Sequence, residues 1–519
     1  MTSSLEESRY TQLDATALAA GLVDGTWNPN EVQEIFRARL KRLDAELSFL
    51  AHDFEGLALP VRPGPLSGVP FLLKDELELD GTPVTLGTRI LDKHVSSVTH
   101  PFIQKLMDAG LVPAGRTVMS ELGLLPTTEP LGRPPCRNPW HREFTAGGSS
   151  GGAAAAVAAG VVPFAHAADG GGSIRIPASA CGLVGLKPSR GRHPLAPTDP
   201  PLGFVSHLCV SRSVRDTALC LDLVQGSTPG RYWVPPPEVP YRDIVRRSPG
   251  HLTVGVTFRG VYGEPAHPEV DAALRTAANR LSDLGHTVRE VEPAFSAEEL
   301  GLAFGVLWAA AAGVLVRMVS RALEKDHPRG LTRALLGRRQ GLARLLNLPD
   351  LKGPRLKRFT RWLIARDDDF SPSALWLAHL VFNELGQSLG NWFASGYDLW
   401  LTPTLMRPPF RVGELDMRKH LPARFRLLGR SQRSRALKGA FLTSEIDSAI
   451  ERELLGFVGF TPVANITGLP AVSLPMGTSL EGVPVGMHLL APLGREDRLL
   501  TLANQWEEQH PWPKLAPNS

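Results

Sequence analysis

Short apolar runs alternate along the chain with stretches whose apolar residues recur at helical spacing. Across residues 30–43, Val32, Ile35, Phe36, Leu40 and Leu43 share one face, which predicts a helix that Asn30 can cap. Residues 69–73 form a continuous apolar run after Gly68 that ends at Lys74-Asp75, the pattern of a short buried strand. Residues 102–110 read as a helix stopped by Gly110, and 111–114 as the next strand. The alternation returns further on. Residues 254–258 are strand-like; Val270, Leu274, Ala277, Leu281 and Leu284 make a helical stripe ended by Gly285; residues 288–291 are strand-like again. Residues 398–401, 471–474 and 485–490 supply further strands, and 495–508 a last helix. Strands and helices in this order predict an α/β fold. No repeat at a fixed period and no low-complexity linker interrupts them.

Composition narrows the class. Of 519 residues, 43% are hydrophobic and 21% charged, with 50 Gly and 45 Pro, which argues against disorder, collagen-like repeats and coiled coils. The net charge of +4, from 56 basic and 52 acidic residues, is too small to argue for nucleic acid. Cys136, Cys181, Cys209 and Cys220 form no CxxC pair, so a disulfide scaffold or zinc ribbon is not expected, and reduced thiols in a cytoplasmic protein fit better. The first ten residues are polar and acidic, without the apolar core of a signal peptide. The best membrane candidate, 153–168, is built from Ala, Gly and Val, contains Pro163 and His166, and is too short to span; a small-residue helix packed in a core is expected there. One segment departs from the average: residues 321–366 carry thirteen Lys/Arg against three Asp/Glu, interleaved with Leu331, Leu335, Leu336, Leu342, Leu345 and Leu346. A solvated helical face, a lid over a site and a membrane or nucleic-acid contact all fit that pattern.

The most informative stretch is Gly147-Gly148-Ser149-Ser150-Gly151-Gly152, followed by Asp169-Gly170-Gly171-Gly172-Ser173-Ile174-Arg175. Consecutive glycines bring backbone close to a ligand, and successive N–H groups can converge on one oxygen. A serine at the end of such a loop has the geometry that acyl transfer needs. No GxxxxGK[ST] phosphate loop exists. The formal GxSxG match at 147–151 lacks the HGGG-type segment of α/β-hydrolases. Glycines that only permit close helix packing are the plain alternative, which a serine in each of two loops flanking one Ala-rich helix weakens. A serine nucleophile needs a base. None of the fifteen histidines falls in a recognisable triad motif, and there is no HExxH. A buried lysine can serve when it is neutral. Lys74, at the end of an apolar run, is the candidate, although a lysine in that position also fits a surface charge.

Leu73-Lys74-Asp75, the two Gly/Ser loops and the 24-residue step from Ser149 to Ser173 resemble the amidase signature family. Pro139-Trp140, Gly185-Leu186-Lys187-Pro188, Leu401-Thr402-Pro403 and Ala464-Asn465 resemble further landmarks, so the similarity covers nearly the whole chain and is weakest over 320–395. The resemblance implies Lys74 as base, Ser149 as a bridging serine behind a non-proline cis peptide, and Ser173 as nucleophile. It implies an oxyanion hole from the amides of Gly170, Gly171 and Gly172 with that of Ser173. Ser150, Asp169 and Arg175 are then loop supports. Where the family commonly has Gly-Thr-Asp, this chain has Ala167-Ala168-Asp169, which puts one supporting hydroxyl in doubt.

The fold implied is one domain over 1–519, with a large mixed sheet between helices and a helical cap at roughly 300–395. No metal or organic cofactor is implied. The expected partner is a small amide or carbamate, with no nucleic acid and no transmembrane segment; a homodimer is compatible, although no residue argues for it. Thr127-Thr128-Glu129-Pro130, Ala165-His166 and Gly494-Arg495-Glu496-Asp497 look most like the 6-aminohexanoate-cyclic-dimer hydrolase branch, which implies cleavage of small, cyclic or hydrophobic amides. Trp308 and Trp362 are candidates to shape an apolar pocket, against ordinary helix packing. A urethanase and a tRNA-dependent amidotransferase subunit remain as family alternatives, and a non-catalytic binding protein of the same fold is disfavoured by the joint presence of Lys74, Ser149 and Ser173.

Overall fold

A computed structural model describes residues 5–326, 356–415 and 453–517, apart from positions 58, 60–61, 197–198, 200–202 and 293–294. The greater part of the basic segment 321–366 lies outside the described residues, as do residues 368–369.

Eleven strands form one mixed sheet. They are β1 (Leu50–Asp53), β2 (Pro70–Lys74), β3 (Val112–Thr117), β4 (Phe164–Asp169), β5 (Val184–Lys187), β6 (Ser206–Ser211), β7 (Thr253–Val256), β8 (Thr287–Glu290), β9 (Leu399–Pro403), β10 (Ala471–Thr478) and β11 (Pro484–Leu490). Their spatial order is β1-β3-β2-β4-β6-β5-β10-β11-β9-β7-β8. The pairs β3–β2, β2–β4, β9–β7 and β7–β8 are parallel, and the central block from β4 through β9 is antiparallel. Strands β2, β4, β5, β6, β9 and β11 are buried along their whole length, because helices cover both faces.

The expected helix at 30–43 runs Pro29–Leu47, and its cap is Asn28 rather than Asn30: Asn28 accepts from the Asn30 N–H and Pro29 takes the first turn, where a missing N–H costs nothing. The stretch 153–168 is not one helix. Helix Gly151–Ala158 ends, the chain turns through Pro163, and β4 begins at Phe164. Every side chain of that helix is buried, and it packs under β2, β3, β4 and β6.

Between β8 and β9 the described chain is helical: Ala297–Asp326, Arg358–Asp367 and Pro372–Ala394 pack on one another over their own apolar clusters. Within the first of these, Ala297–Arg317 is long and apolar enough to cross a membrane by length and composition, with mean hydropathy 1.9, and half of its most apolar window is buried inside the fold. All four cysteines are free and buried.

Candidate active site

Lys74 is the last residue of β2, so the strand delivers its side chain to the sheet's carboxyl edge. Only 2% of that side chain is exposed, and its amine has three partners. Nζ lies 2.9 Å from Ser149 Oγ, 3.4 Å from the Ala168 carbonyl and 2.9 Å from Glu76 Oε2. Ser149 follows a cis Gly148–Ser149 peptide at the entrance to helix Gly151–Ala158. That entrance presses on β3: a Cβ on Gly152 would stand 2.5 Å from the Val118 carbonyl oxygen. Ser150 Oγ donates to the Ala168 carbonyl (3.2 Å) and accepts its N–H (3.4 Å). Lys74 and Ser150 therefore meet on one backbone carbonyl. The position where the family's threonine is missing supports the network through its main chain.

After β4 the chain enters the loop Gly170-Gly171-Gly172-Ser173 and then helix Arg175–Cys181. Asp169 locks this loop. Its carboxylate accepts from the N–H groups of Gly172 (2.7 Å) and Ile174 (3.2 Å), and from Arg175 Nε (2.9 Å) and Nη2 (2.8 Å). Burial alone would raise the Asp169 carboxyl; the Arg175 guanidinium overrides it and holds the group well below the usual carboxylate range. Arg175 also reaches Asn465 Oδ1 (2.7 Å) and His488 Nε2 (2.8 Å). Asn465 returns an N–H to the Asp169 carbonyl (2.8 Å), so helix Thr461–Thr467, which carries Asn465, and β11, which carries His488, brace the loop. Gly172 has φ +127°, and a Cβ there would stand 2.5 Å from Thr461 Oγ1, so no side chain fits.

Ser173 is partly exposed, whereas Ser149 and Ser150 are buried. Among the described residues Ser173 makes no hydrogen bond, so the structure joins Lys74 to Ser149 and shows no hydrogen bond from either to Ser173. The amides of Gly170 and Gly171 are also uncommitted among the described residues. The Gly172 amide is not: the carboxylate that locks the loop takes it. Of the three glycine amides expected to act as donors, that of Gly172 is bonded to Asp169, and those of Gly170 and Gly171 make no hydrogen bond among the described residues.

Sequence reasoning passed over Glu76. Its N–H donates to the Lys74 carbonyl (2.7 Å), a tight turn that folds its carboxylate back onto the lysine. An acid two residues after the candidate base was the available signal. Behind the pair, His166 and His207 stack with ring centroids 5.5 Å apart, and His100 and His193 pack against His207. Among the described residues Glu76, His166 and His207 are the one His/Cys/Asp/Glu group whose ligand atoms lie within 4.8 Å of one another. His166 Nδ1, however, accepts the Lys74 N–H (3.3 Å). The neutral ring then carries its proton on Nε2, the nitrogen that would have to ligate, and the donor set does not fit an ion.

An aromatic row leaves the glycine loop on the helical side. Phe304 Cζ is 3.4 Å from where a Cβ on Gly171 would stand. Phe304 stacks on Trp308, Trp308 meets Phe359, and Phe359 meets Trp362, with centroids 6.2, 5.3 and 5.5 Å apart.

A buried lysine paired with a serine, set against a glycine loop that ends in a second serine, defines a serine–lysine class of site. Comparison with known proteins gives the family. The amidase family model matches residues 56–428. AmiC, an amidase-family protein of Mycobacterium tuberculosis, is 34% identical, with 98% of this chain and 96% of that protein aligned. The 6-aminohexanoate-cyclic-dimer hydrolase of Paenarthrobacter ureafaciens is 32% identical over 97% of this chain and 96% of its own. A solved 6-aminohexanoate cyclic dimer hydrolase superposes with TM-score 0.78 at 31% identity, covering 97% of this chain and 98% of that one. The chain belongs to the amidase signature family. It is a hydrolase of carbon–nitrogen bonds other than peptide bonds, on the family's mixed sheet flanked by helices.

Proposed function

We propose that the chain is a serine amidohydrolase in which Ser173 is the nucleophile, Ser149 the bridging hydroxyl and Lys74 the base. The observation that carries this reading is the 2.9 Å contact between the buried Lys74 Nζ and Ser149 Oγ, beside a loop with free amides. Neutral Lys74 takes a proton from Ser149 as Ser149 takes one from Ser173. Ser173 Oγ attacks the carbonyl carbon, and the displaced π pair settles on oxygen facing the amides of Gly170, Gly171 and Ser173. Losing one such donor costs about 3 kcal/mol in comparable sites. Collapse breaks the C–N bond while the lysine's proton returns through Ser149 to the leaving amine. Water releases the acyl group by the same relay.

The proposed substrates are small, cyclic or hydrophobic amides of the nylon-oligomer or aryl type. Two observations support this class. The row Phe304–Trp308–Phe359–Trp362 offers an apolar wall that begins at the nucleophile loop. Relatives at 32% identity are named for hydrolysis of a cyclic amide dimer. The helices over 297–394 act as a cap on a single domain in this reading, and that row lies on them.

The test follows aniline release from an aryl amide and from the matching aryl carbamate, with wild type and Ser173→Ala. Release from the amide should depend on Ser173 and exceed release from the carbamate. Equal turnover by Ser173→Ala would sink the mechanism, and a carbamate preference would make the enzyme a urethanase.

A further inference from the structure

We infer that Glu76 is the positioning residue of the base: it turns the Lys74 lone pair toward Ser149 and stabilises the ammonium that forms when Lys74 takes the proton. The inference rests on the reading of Lys74 as base and extends it by one carboxylate, as a buried aspartate extends the histidine base of other serine hydrolases.

The geometry argues from the partners of a single nitrogen. A neutral amine has two hydrogens and one lone pair. Of the three atoms around Lys74 Nζ, Glu76 Oε2 (2.9 Å) and the Ala168 carbonyl (3.4 Å) can only accept. They take the two hydrogens. The lone pair is left for Ser149 Oγ at 2.9 Å, whose hydroxyl can donate. Without Glu76 one hydrogen has no acceptor, and the amine is free to present a hydrogen to Ser149 in place of its lone pair.

The surroundings make the carboxylate depend on this lysine. Glu76 Oε1 is buried and makes no hydrogen bond among the described residues. His207 Nδ1 stands 3.4 Å from it, out of hydrogen-bond alignment. His166 takes the Lys74 N–H on Nδ1, so its Nε2 hydrogen points at the same His207 nitrogen, 3.4 Å away. That nitrogen is an acceptor and gives nothing to Glu76. A carboxylate held this far from water needs a donor, and among the described residues Lys74 Nζ, 2.9 Å from Oε2, supplies it. Burial would raise the Glu76 carboxyl; a positive charge on Lys74, foremost, overrides it and holds the group below the usual range.

The other groups facing the pair do not share this role. From β4, burial and then His207 hold His166 well below the usual histidine range, so it stays neutral. Beyond His207, burial brings His193 down to about 3, and His100 is bound to Asp199 at 3.1 Å. From β3, Arg116 reaches the Lys74 carbonyl (3.4 Å), not the amine, and Asp75 turns to Thr85 (2.9 Å).

The test is kcat/KM against pH for Ser173-dependent hydrolysis of an aryl amide by wild type, Glu76→Gln and Glu76→Asp, with thermal unfolding of each. In Glu76→Gln the acid limb should move to lower pH by about one to three units, the range a close opposite charge produces. Its plateau should fall, and Glu76→Asp should move the limb the same way by less. A merely structural glutamate would lower activity without moving the limb. A Glu76→Gln limb that coincides with wild type overturns the inference. If that variant does not fold, Glu76→Asp decides alone: a displaced limb supports the inference, and an unmoved one overturns it. Undiminished turnover by Ser173→Ala in the same assay would overturn the reading of the base itself, and the inference with it.

Discussion

Lys74 and Ser149 are linked by one contact, yet removing either has different consequences. Ser149→Ala takes away a hydroxyl and leaves Lys74 Nζ with Glu76 and the Ala168 carbonyl as partners. Lys74→Ala takes the amine from the partly buried Glu76 carboxylate, whose buried Oε1 is already without a hydrogen bond among the described residues. Both variants should lose about 10²- to 10⁴-fold in kcat, the usual worth of a positioned proton-transfer group. Only Lys74→Ala should also lose on the order of 3 kcal/mol in denaturant unfolding, the cost of an unpaired buried charge. Equal stability losses would mean that the Lys74–Glu76 pair carries no such burden.

Two strand ends supply the chemistry, and they were not equally legible. β2 announced itself as an apolar run bounded by Gly68 and Lys74-Asp75. β4 did not, because it follows helix Gly151–Ala158 directly and both are buried all round. Neither alternation nor a helical stripe is then required of the sequence, and Gly160 and Pro163 were the punctuation between them. β5 and β6 escaped for the same reason: every residue of each is buried. The candidate site was more legible than its scaffold, because glycine loops with serines at a set spacing constrain sequence more tightly than a buried strand does. Glu76 was missed because a turn, not strand alternation, brings it back to Lys74. That Asp169 takes the Gly172 amide was not legible either, because sequence does not show which way a loop carboxylate turns.

At the scale of the whole molecule, the glycine loop is held through Arg175 by residues 290 and 313 positions further along the chain, Asn465 and His488. The sheet order makes this compact, since β5 lies beside β10, and β10 beside β11. Lys187, on β5, is enclosed in that block, and burial foremost, with Arg175, brings its amine down from 10.5 to about 7. The folded value lies below the unfolded one, so between about pH 7 and 10 the unfolded chain binds more protons there and this group makes stability rise with pH. Below about pH 7 the penalty is constant. The contribution amounts to something on the order of 2 kcal/mol between pH 7 and 9. Lys187→Met should remove that part of the slope in unfolding measured across this window; an unchanged slope would show that Lys187 does not titrate there.

The central claim is that Ser173 becomes acylated through Lys74 and Ser149. Mass mapping after treatment with a serine-reactive fluorophosphonate tests it most directly. The account predicts a single adduct on the peptide carrying Ser173, absent from Ser173→Ala and formed far more slowly in Lys74→Ala. An adduct on another residue, or labelling of Ser173→Ala at the wild-type rate, would contradict it.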